Sequence, residues 1–262
     1  MKIRFHKYHG TGNDFILVDD RERKLALSRE EVERLCDRHF GIGADGLMLL
    51  FGKEGYDFGM TYFNRDGRES TMCGNGGRCL TAFARSLGII RDRAFFHAID
   101  GEHQAVILSR EGPETRVKLG MKGARVEKTA EGHYFTDTGS PHYVILAKDI
   151  DSIDLIREAR KIRYDTCYAE EGTNVDFVQV QGDRLYVRSY ERGVEDETLS
   201  CGTGVTAAAL TAAMALKDGA GMFHIRTRGG DLEVTFNRKG SSFSEIWLEG
   251  PARFVYQGEI DH

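Results

Sequence analysis

Hydrophobic and polar positions follow two rhythms along this chain, and each rhythm occurs twice. The apolar run Phe15-Ile16-Leu17-Val18 follows the turn Gly10-Thr11-Gly12 and reads as a buried strand. Polar residues interrupted by Val32, Leu35 and Cys36 predict an amphipathic helix over 28–36, with Phe40 expected on the same apolar face. Gly41-Ile42-Gly43-Ala44-Asp45-Gly46 then leads into a second apolar strand, Leu47-Met48-Leu49. The next helix, predicted from Arg78 to Leu87, is different in kind. Its segment Leu80-Thr81-Ala82-Phe83-Ala84 has no polar face, so it should be buried all round. Hairpin-like strands follow around 105–108 and 117–119.

The same order then recurs. Thr138-Gly139-Ser140-Pro141-His142 and the apolar residues after it overlay Gly10 to Val18, and Ile153 to Arg160 overlays the 28–36 helix. Gly172-Thr173-Asn174-Val175-Asp176 overlays the 41–49 stretch. The sharpest correspondence sets Phe63-Asn64-Arg65 and Met72-Cys73-Gly74-Asn75-Gly76 over Tyr190-Glu191-Arg192 and Ser200-Cys201-Gly202-Thr203-Gly204. A small-residue helix from Val205 to Leu216 and strands around 232–236 and 246–248 complete the second copy. Gly12 and Gly139 are 127 positions apart, and Cys73 and Cys201 are 128 apart. An offset this constant marks an internal duplication.

The duplication predicts an α+β protein of two similar, pseudo-twofold-related domains, each a mixed β-sheet or barrel wrapped around a central helix. The expected domains are 1–122, carrying Cys73, and 123–262, carrying Cys201, with the last strand free to pack back on the first. A ligand is expected in the cleft between them. No GxGxxG opens a βαβ unit, which disfavours a doubly wound dinucleotide fold.

Composition narrows the function. The 262 residues carry a formal charge of −5, without the basic excess of a nucleic-acid binder. No stretch approaches a membrane span and the first residues lack a signal-like apolar segment, so neither nucleic acid nor membrane is an expected partner. Five cysteines, an odd number without a CxxC pair, suit free thiols in a reducing, cytoplasmic setting and no metal site. Cys36 and Cys79 read as small buried hydrophobes, while Cys167 is undecided.

Cys73 and Cys201 read otherwise. Each stands before Gly-x-Gly at the predicted start of a helix, where unpaired amides and the positive dipole end favour a thiolate or a docked carboxylate. Two thiols flanking one cleft suit inversion of a carbon that carries a proton. One thiolate removes the proton from one face and the opposed thiol delivers another to the second face. The helix-terminal amides would hold the enediolate-like charge. No cofactor is needed for that chemistry. A hydrolase using Cys73 with His142 as base leaves Cys201 without a role, and a thiol switch closing a Cys73–Cys201 disulfide is a further alternative. Asn13, Asn64 and Asn174 by themselves read more readily as turn residues bonded to their own backbone than as ligands. His142 reads as structural as readily as functional. Glu191-Arg192 could form a surface ion pair, although its place opposite Asn64-Arg65 favours function. The charged residues at Glu30-Glu31 and Arg157 to Arg163 are expected to be solvated helix faces.

Together His9-Gly10-Thr11-Gly12-Asn13-Asp14-Phe15, Cys73-Gly74-Asn75-Gly76-Gly77-Arg78-Cys79, Tyr190-Glu191-Arg192-Gly193 and Cys201-Gly202-Thr203-Gly204 resemble the diaminopimelate epimerase family, in order and over the full length. The resemblance implies cofactor-independent interconversion of LL- and meso-2,6-diaminopimelate, in lysine and peptidoglycan-precursor synthesis. The implied partner is that small-molecule substrate, with a homodimer left open. By position it makes Cys73 and Cys201 the acid/base pair and Asn13, Asn64 and Asn174 substrate-binding. It puts Arg192 on the distal carboxylate and gives the reacting carboxylate to the amides of Gly74-Asn75 and Gly202-Thr203. His142 and Glu191 would modulate the thiols, with Glu191 also at the substrate. A two-thiol racemase acting on proline, hydroxyproline or another amino acid is the near alternative. Three positions depart from the family pattern: Ser140 stands where many members have Asn, Gly46 where some have Gln, and the loop 193–200 is one residue longer than in some. Its acidic residues Glu195, Asp196 and Glu197 would either select an aminated substrate or be solvated.

Overall fold

The structure is a computed structural model that describes residues 2–168, 172–216 and 221–261. Two compact units emerge, residues 2–119 with 250–261 and residues 120–249. The division falls at 119/120, and the end of the chain pairs with its beginning.

In the first unit β1 (Lys2–Gly10), β2 (Asn13–Asp19), β3 (Gly46–Phe51), β4 (Phe58–Asn64), β6 (Arg93–Ala98), β7 (Gly101–Glu111) and β8 (Glu114–Met121) follow one another in space, with short β5 (Glu69–Ser70) on β4. The long strand β17 (Ser242–Asp261) closes the ring by pairing with β1 and β8. Two neighbours are parallel, β2–β3 and β4–β6, and each needs a crossover. Helix α1 (Arg29–Cys36) makes the first crossover and α2 (Gly74–Ser86) the second.

The second unit repeats this plan. Strands β9 (Ala124–Lys128), β10 (Tyr134–Asp137), β11 (Pro141–Leu146), β12 (Asn174–Gln181), β13 (Arg184–Glu191), β15 (Met222–Thr227) and β16 (Gly230–Lys239) run round to the first part of β17, which pairs back with β9. Here β11–β12 and β13–β15 are the parallel pairs. Helices α3 (Leu155–Arg163) and α4 (Gly202–Leu216) cross over, and β14 (Asp196–Thr198) pairs with β13. Each unit is a mixed barrel with one helix inside and one outside, as the duplicated pattern predicts.

Local chemistry explains the elements. The strands next to both helices are buried on both faces, so they read as continuous apolar runs. Ile16, Val18, Leu47 and Leu49 pack outward with Val32 and Leu35 of α1. The alternate positions Phe15 and Met48 face inward, against Gly76 of α2. Helix α1 starts at a capping box: Ser28 Oγ accepts from the Glu31 amide at 3.2 Å, and the Glu31 carboxylate accepts from the Ser28 amide at 2.6 Å. It ends at Cys36, and Phe40 is not on its apolar face. Asp37 Oδ1 accepts from the His39 and Phe40 amides at 2.7 Å each, turning the chain so that Phe40 is 84% exposed.

The inner helices begin earlier than expected, at Gly74 and Gly202 rather than at Arg78 and Val205. Glycine is a poor helix former, but close packing demands it here. A Cβ at Gly76 would lie 1.9 Å from Met48 Cε, and one at Gly204 would lie 2.6 Å from Asp176 Oδ1. Both helices are enclosed through most of their length, Gly74 to Ala84 and Val205 to Ala213. Among the described residues no helix is long and apolar enough to cross a membrane.

Candidate active site

In the first unit the site grows from the start of α2. Cys73 is the N-cap residue in extended conformation, half-buried, and its carbonyl already accepts from the Gly77 amide at 2.7 Å. Asn13, at the start of β2, sits beside it. Cys73 Sγ donates to Asn13 Oδ1 at 3.6 Å, and Asn75 Nδ2 donates to the same oxygen at 3.3 Å. Asn13 Nδ2 donates in turn to Asp45 Oδ2 at 2.8 Å. Behind them a charged cluster fixes the loop: Arg38 bonds both Asp14 and Asp45, and buried Lys7 pairs with Asp14 at 2.7 Å. These cations hold the Asp14 carboxyl far below the usual carboxylate range against the opposing effect of burial. Asn13, Cys73, Gly74 and Asn75 are thus brought together. Asn64 ends β4 in a turn, its backbone bonded to Arg68 and Gly67, with its side chain exposed. Gly46 pairs with Asn64 and has no room for a longer residue, since a Cβ there would lie 2.5 Å from Tyr62 Cε2.

In the second unit Cys201 is buried just before α4, and its sulfur accepts from the Gly204 amide at 3.4 Å. Thr203 Oγ1 lies 3.4 Å from that sulfur and 2.8 Å from His142 Nε2. His142 Nδ1 reaches Asp176 Oδ2 at 2.7 Å, and Ser189 Oγ donates to Asp176 Oδ1 at 2.5 Å. His142 and Asp176 are fully buried. His142 therefore links Asp176 to Thr203 through its two ring nitrogens. Glu191 bonds Thr198 and also faces Cys201; burial raises its carboxyl pKa.

Helix-terminal amides alone were expected to favour a thiolate. At Cys201 they do not prevail: burial, then the Glu191 and Asp176 charges, push this thiol well above its ordinary value. Cys36 is likewise pushed up, to about 12, by burial, and Cys79 is raised for the same reason. Cys167 is exposed.

Asn174 is a hub. Its Nδ2 donates to Ser140 Oγ and to the Pro141 carbonyl, both at 2.9 Å, and its Oδ1 accepts from the Arg192 amide at 2.9 Å. Ser140 therefore acts on the fold through Asn174. The Arg192 guanidinium donates to the Gly172 carbonyl at 3.4 Å. In the acidic loop both glutamates are paired within the protein. Glu195 is bonded by Arg163 at 2.9 Å and by the hydroxyls of Tyr164 and Tyr190, while Glu197 receives a forked bond from Arg188 and a further contact from Arg228. Arg163 is accordingly paired rather than part of a solvated face.

Sequence reasoning missed Asp176, Ser189, Arg78 and Asp45. Asp176 left one signal, an acidic residue in the otherwise apolar strand Val175-Asp176-Phe177-Val178. Its counterpart in the first half is Met48: Phe15 pairs with Gly46 and Met48 with Tyr62, as His142 pairs with Asn174 and Asp176 with Ser189. The two thiol helices therefore rest on unlike ground, apolar in the first unit and hydrogen-bonded in the second. Among the described residues no three His, Cys, Asp or Glu are grouped to hold a metal ion.

The doubled barrel is shared with solved structures of distant sequence. A phenazine biosynthesis protein of the PhzF family from Bacillus anthracis matches with a TM-score of 0.80 at 16% identity, covering all of both chains. A hydroxyproline epimerase from Agrobacterium vitis matches at 0.72 and 15% identity, over 99% of this chain and 92% of that one. These define the fold class. Within it, the chain belongs to the diaminopimelate epimerase family, whose sequence pattern matches residues 5–125 and 134–255. The diaminopimelate epimerase of Flavobacterium psychrophilum is 46% identical over 98% of this chain and all of its own length, and that of Aquifex aeolicus is 36% identical over 98% of both.

Proposed function

We propose that this protein epimerises LL-2,6-diaminopimelate to the meso isomer by a cofactor-independent two-base mechanism. Carrying the proposal is the pair of thiols, Cys73 and Cys201, each placed by the duplication immediately before the first turn of an enclosed helix. A thiolate takes the proton from the carbon beside the carboxylate, and the other thiol returns a proton to the opposite face, so the pair exchanges protonation states at each turnover. The carboxylate docks on the first amides of the helices, Gly74-Asn75 and Gly202-Thr203, whose dipoles offset the enediolate-like charge. Asn13, Asn64 and Asn174 bind and orient the substrate. His142 and Glu191 adjust the thiols, and Arg192 takes the distal carboxylate.

Incubation with LL-diaminopimelate in heavy water tests this directly. Inversion is expected, with solvent deuterium incorporated mainly into product, because the protonating thiol exchanges with water before turnover. Full activity is expected in excess chelator. Inversion of proline or hydroxyproline but not of diaminopimelate would move the assignment to the neighbouring racemases, and inversion without deuterium uptake would rule out the thiol acid.

Arg192 provides a second check. Arg192→Lys keeps the charge but loses the planar fork that suits a carboxylate. The expected result is kcat/KM about tenfold to a hundredfold lower with an unchanged melting temperature, the scale of a charged hydrogen bond. Wild-type kinetics would remove Arg192 from substrate binding.

A further inference from the structure

Helix α2 buries an ion that the proposed mechanism does not use. Arg78 is fully enclosed, and among the described residues it meets no carboxylate. Its Nη2 donates to Asn75 Oδ1 at 2.8 Å, Nη1 to the Gly74 carbonyl at 3.3 Å and Nε to the Pro251 carbonyl at 3.4 Å. Burial lowers its pKa to about 10, which still leaves it cationic at neutral pH. A buried charge held only by neutral acceptors is unfavourable for folding, so a structural role alone is a poor reason for it. The duplication supplies the comparison. In the second half the corresponding residue is Thr206, whose hydroxyl donates to the Gly202 carbonyl at 2.9 Å. The first half makes the same carbonyl contact with a cation.

Two consequences for Cys73 follow from this placement. Asn75 has an amide whose orientation matters, and its Oδ1 is taken by Arg78 and by the Thr11 hydroxyl at 3.3 Å. Its Nδ2 is thereby turned toward Asn13 Oδ1, the oxygen that the Cys73 thiol also approaches. In addition, the guanidinium charge acts on Cys73 through space. Among the other charged groups nearby, Asp100 accepts from the Met72 amide at 3.2 Å and is paired with His103, and Asp45 accepts from Asn13 at 2.8 Å. Cys79 on the same helix is kept as a thiol by burial. Arg116 on β8 acts on Arg78 itself, and Asp14 on β2 is paired with Lys7 and Arg38. Cys73 is the thiol left to respond to this cation.

We propose that Arg78 is the positioning residue of the first thiol: it clamps Asn75 with its amide nitrogen toward Asn13, and its enclosed charge makes Cys73 the thiol that ionises more readily. The inference rests on Cys73 as a reacting thiol, but its test does not need turnover. Iodoacetamide alkylation of Cys73 is followed against pH by peptide mass spectrometry, with Cys201 read in the same digest. In Arg78→Met the Cys73 midpoint is expected to rise by about one pH unit, while that of Cys201 stays in place. Arg78→Lys retains the charge and should keep the midpoint, but it loses the fork on Asn75 and should raise KM for diaminopimelate. If the methionine variant does not fold, Arg78→Gln, which keeps donors for Asn75 without the charge, is expected to give the same upward shift. An unmoved Cys73 midpoint in a folded neutral variant, or equal shifts at both cysteines, overturns the proposal. Loss of the diaminopimelate assignment would show in the heavy-water assay and leave these midpoints unchanged.

Discussion

Cys73→Ala and Cys201→Ala are each expected to lower epimerisation by about a thousandfold or more, the scale of losing a general acid or base. Neither thiol can replace the other, because a base on one side of the carbon cannot reach the other side. Both residues precede their helices, and the substitutions remove from the helix ends only the weak sulfur contact of the Gly204 amide, so the variants should fold. A substrate analogue with a leaving group beside the reacting carbon separates the two roles. Elimination from it needs a proton removed but none returned. Each single variant should retain elimination from the stereoisomer whose proton faces its surviving thiol and lose it for the other. Alkylation of the wild type adds a pH test. Cys201 is buried and raised by burial and its neighbouring carboxylates, whereas Cys73 is half-buried. Cys73 should therefore react first near neutral pH, and Cys201 only as the pH rises, since the thiolate is the reactive form. Inversion that survives either alanine substitution would end the two-base account and make the single-nucleophile hydrolase the better reading.

Asp176→Ala is expected to be the most damaging substitution outside the cysteines. It removes the acceptor of His142 Nδ1 and of Ser189, all in surroundings without water contact. Leaving such partners unpaired costs about 3–5 kcal/mol, which corresponds to a melting temperature lower by roughly 10 °C in a chain of this size. Asp176→Asn keeps the size and an oxygen for His142, so most of the stability should return. Its activity should not, because an amide no longer fixes the charge and tautomer behind His142, and kcat should stay about tenfold or more below wild type. Thermal melts and steady-state kinetics on the two variants separate the effects. Equal activity in Asp176→Asn and wild type would make Asp176 a packing residue only.

Much of this arrangement was legible in the residues themselves. A constant offset between Gly12 and Gly139 and between Cys73 and Cys201 does not depend on folding, so the duplication, the enclosed helices and the two thiol turns could be read before any coordinates. Apolar runs such as Phe15 to Val18 marked strands buried on both faces. The helix starts were misplaced because propensity penalises glycine, whereas contact with Met48 and Asp176 requires it. Phe40 was assigned to a helix face because periodicity carries no information about where Asp37 turns the chain. The acidic loop read as free charge, since nothing local shows that Arg188 from the adjacent strand, or Arg163 from a helix that precedes it in the chain, will reach Glu197 and Glu195.

The sequence by itself determined the repeat, the fold class, the two cysteines that precede the inner helices and the family. What tertiary structure alone decided is the environment of each thiol. Repetition places the backbone alike in both halves, but a side chain's ionisation depends on which distant residues are buried beside it. Strand pairing brought Asp176 and His142 behind Thr203 and Cys201, and closure of the first barrel enclosed Arg78 behind Asn75 and Cys73. Burial multiplies the effect of each such neighbour, because charges interact far more strongly out of water. The two halves therefore share one chain plan, and the charges that separate their thiols come from residues dispersed along the sequence.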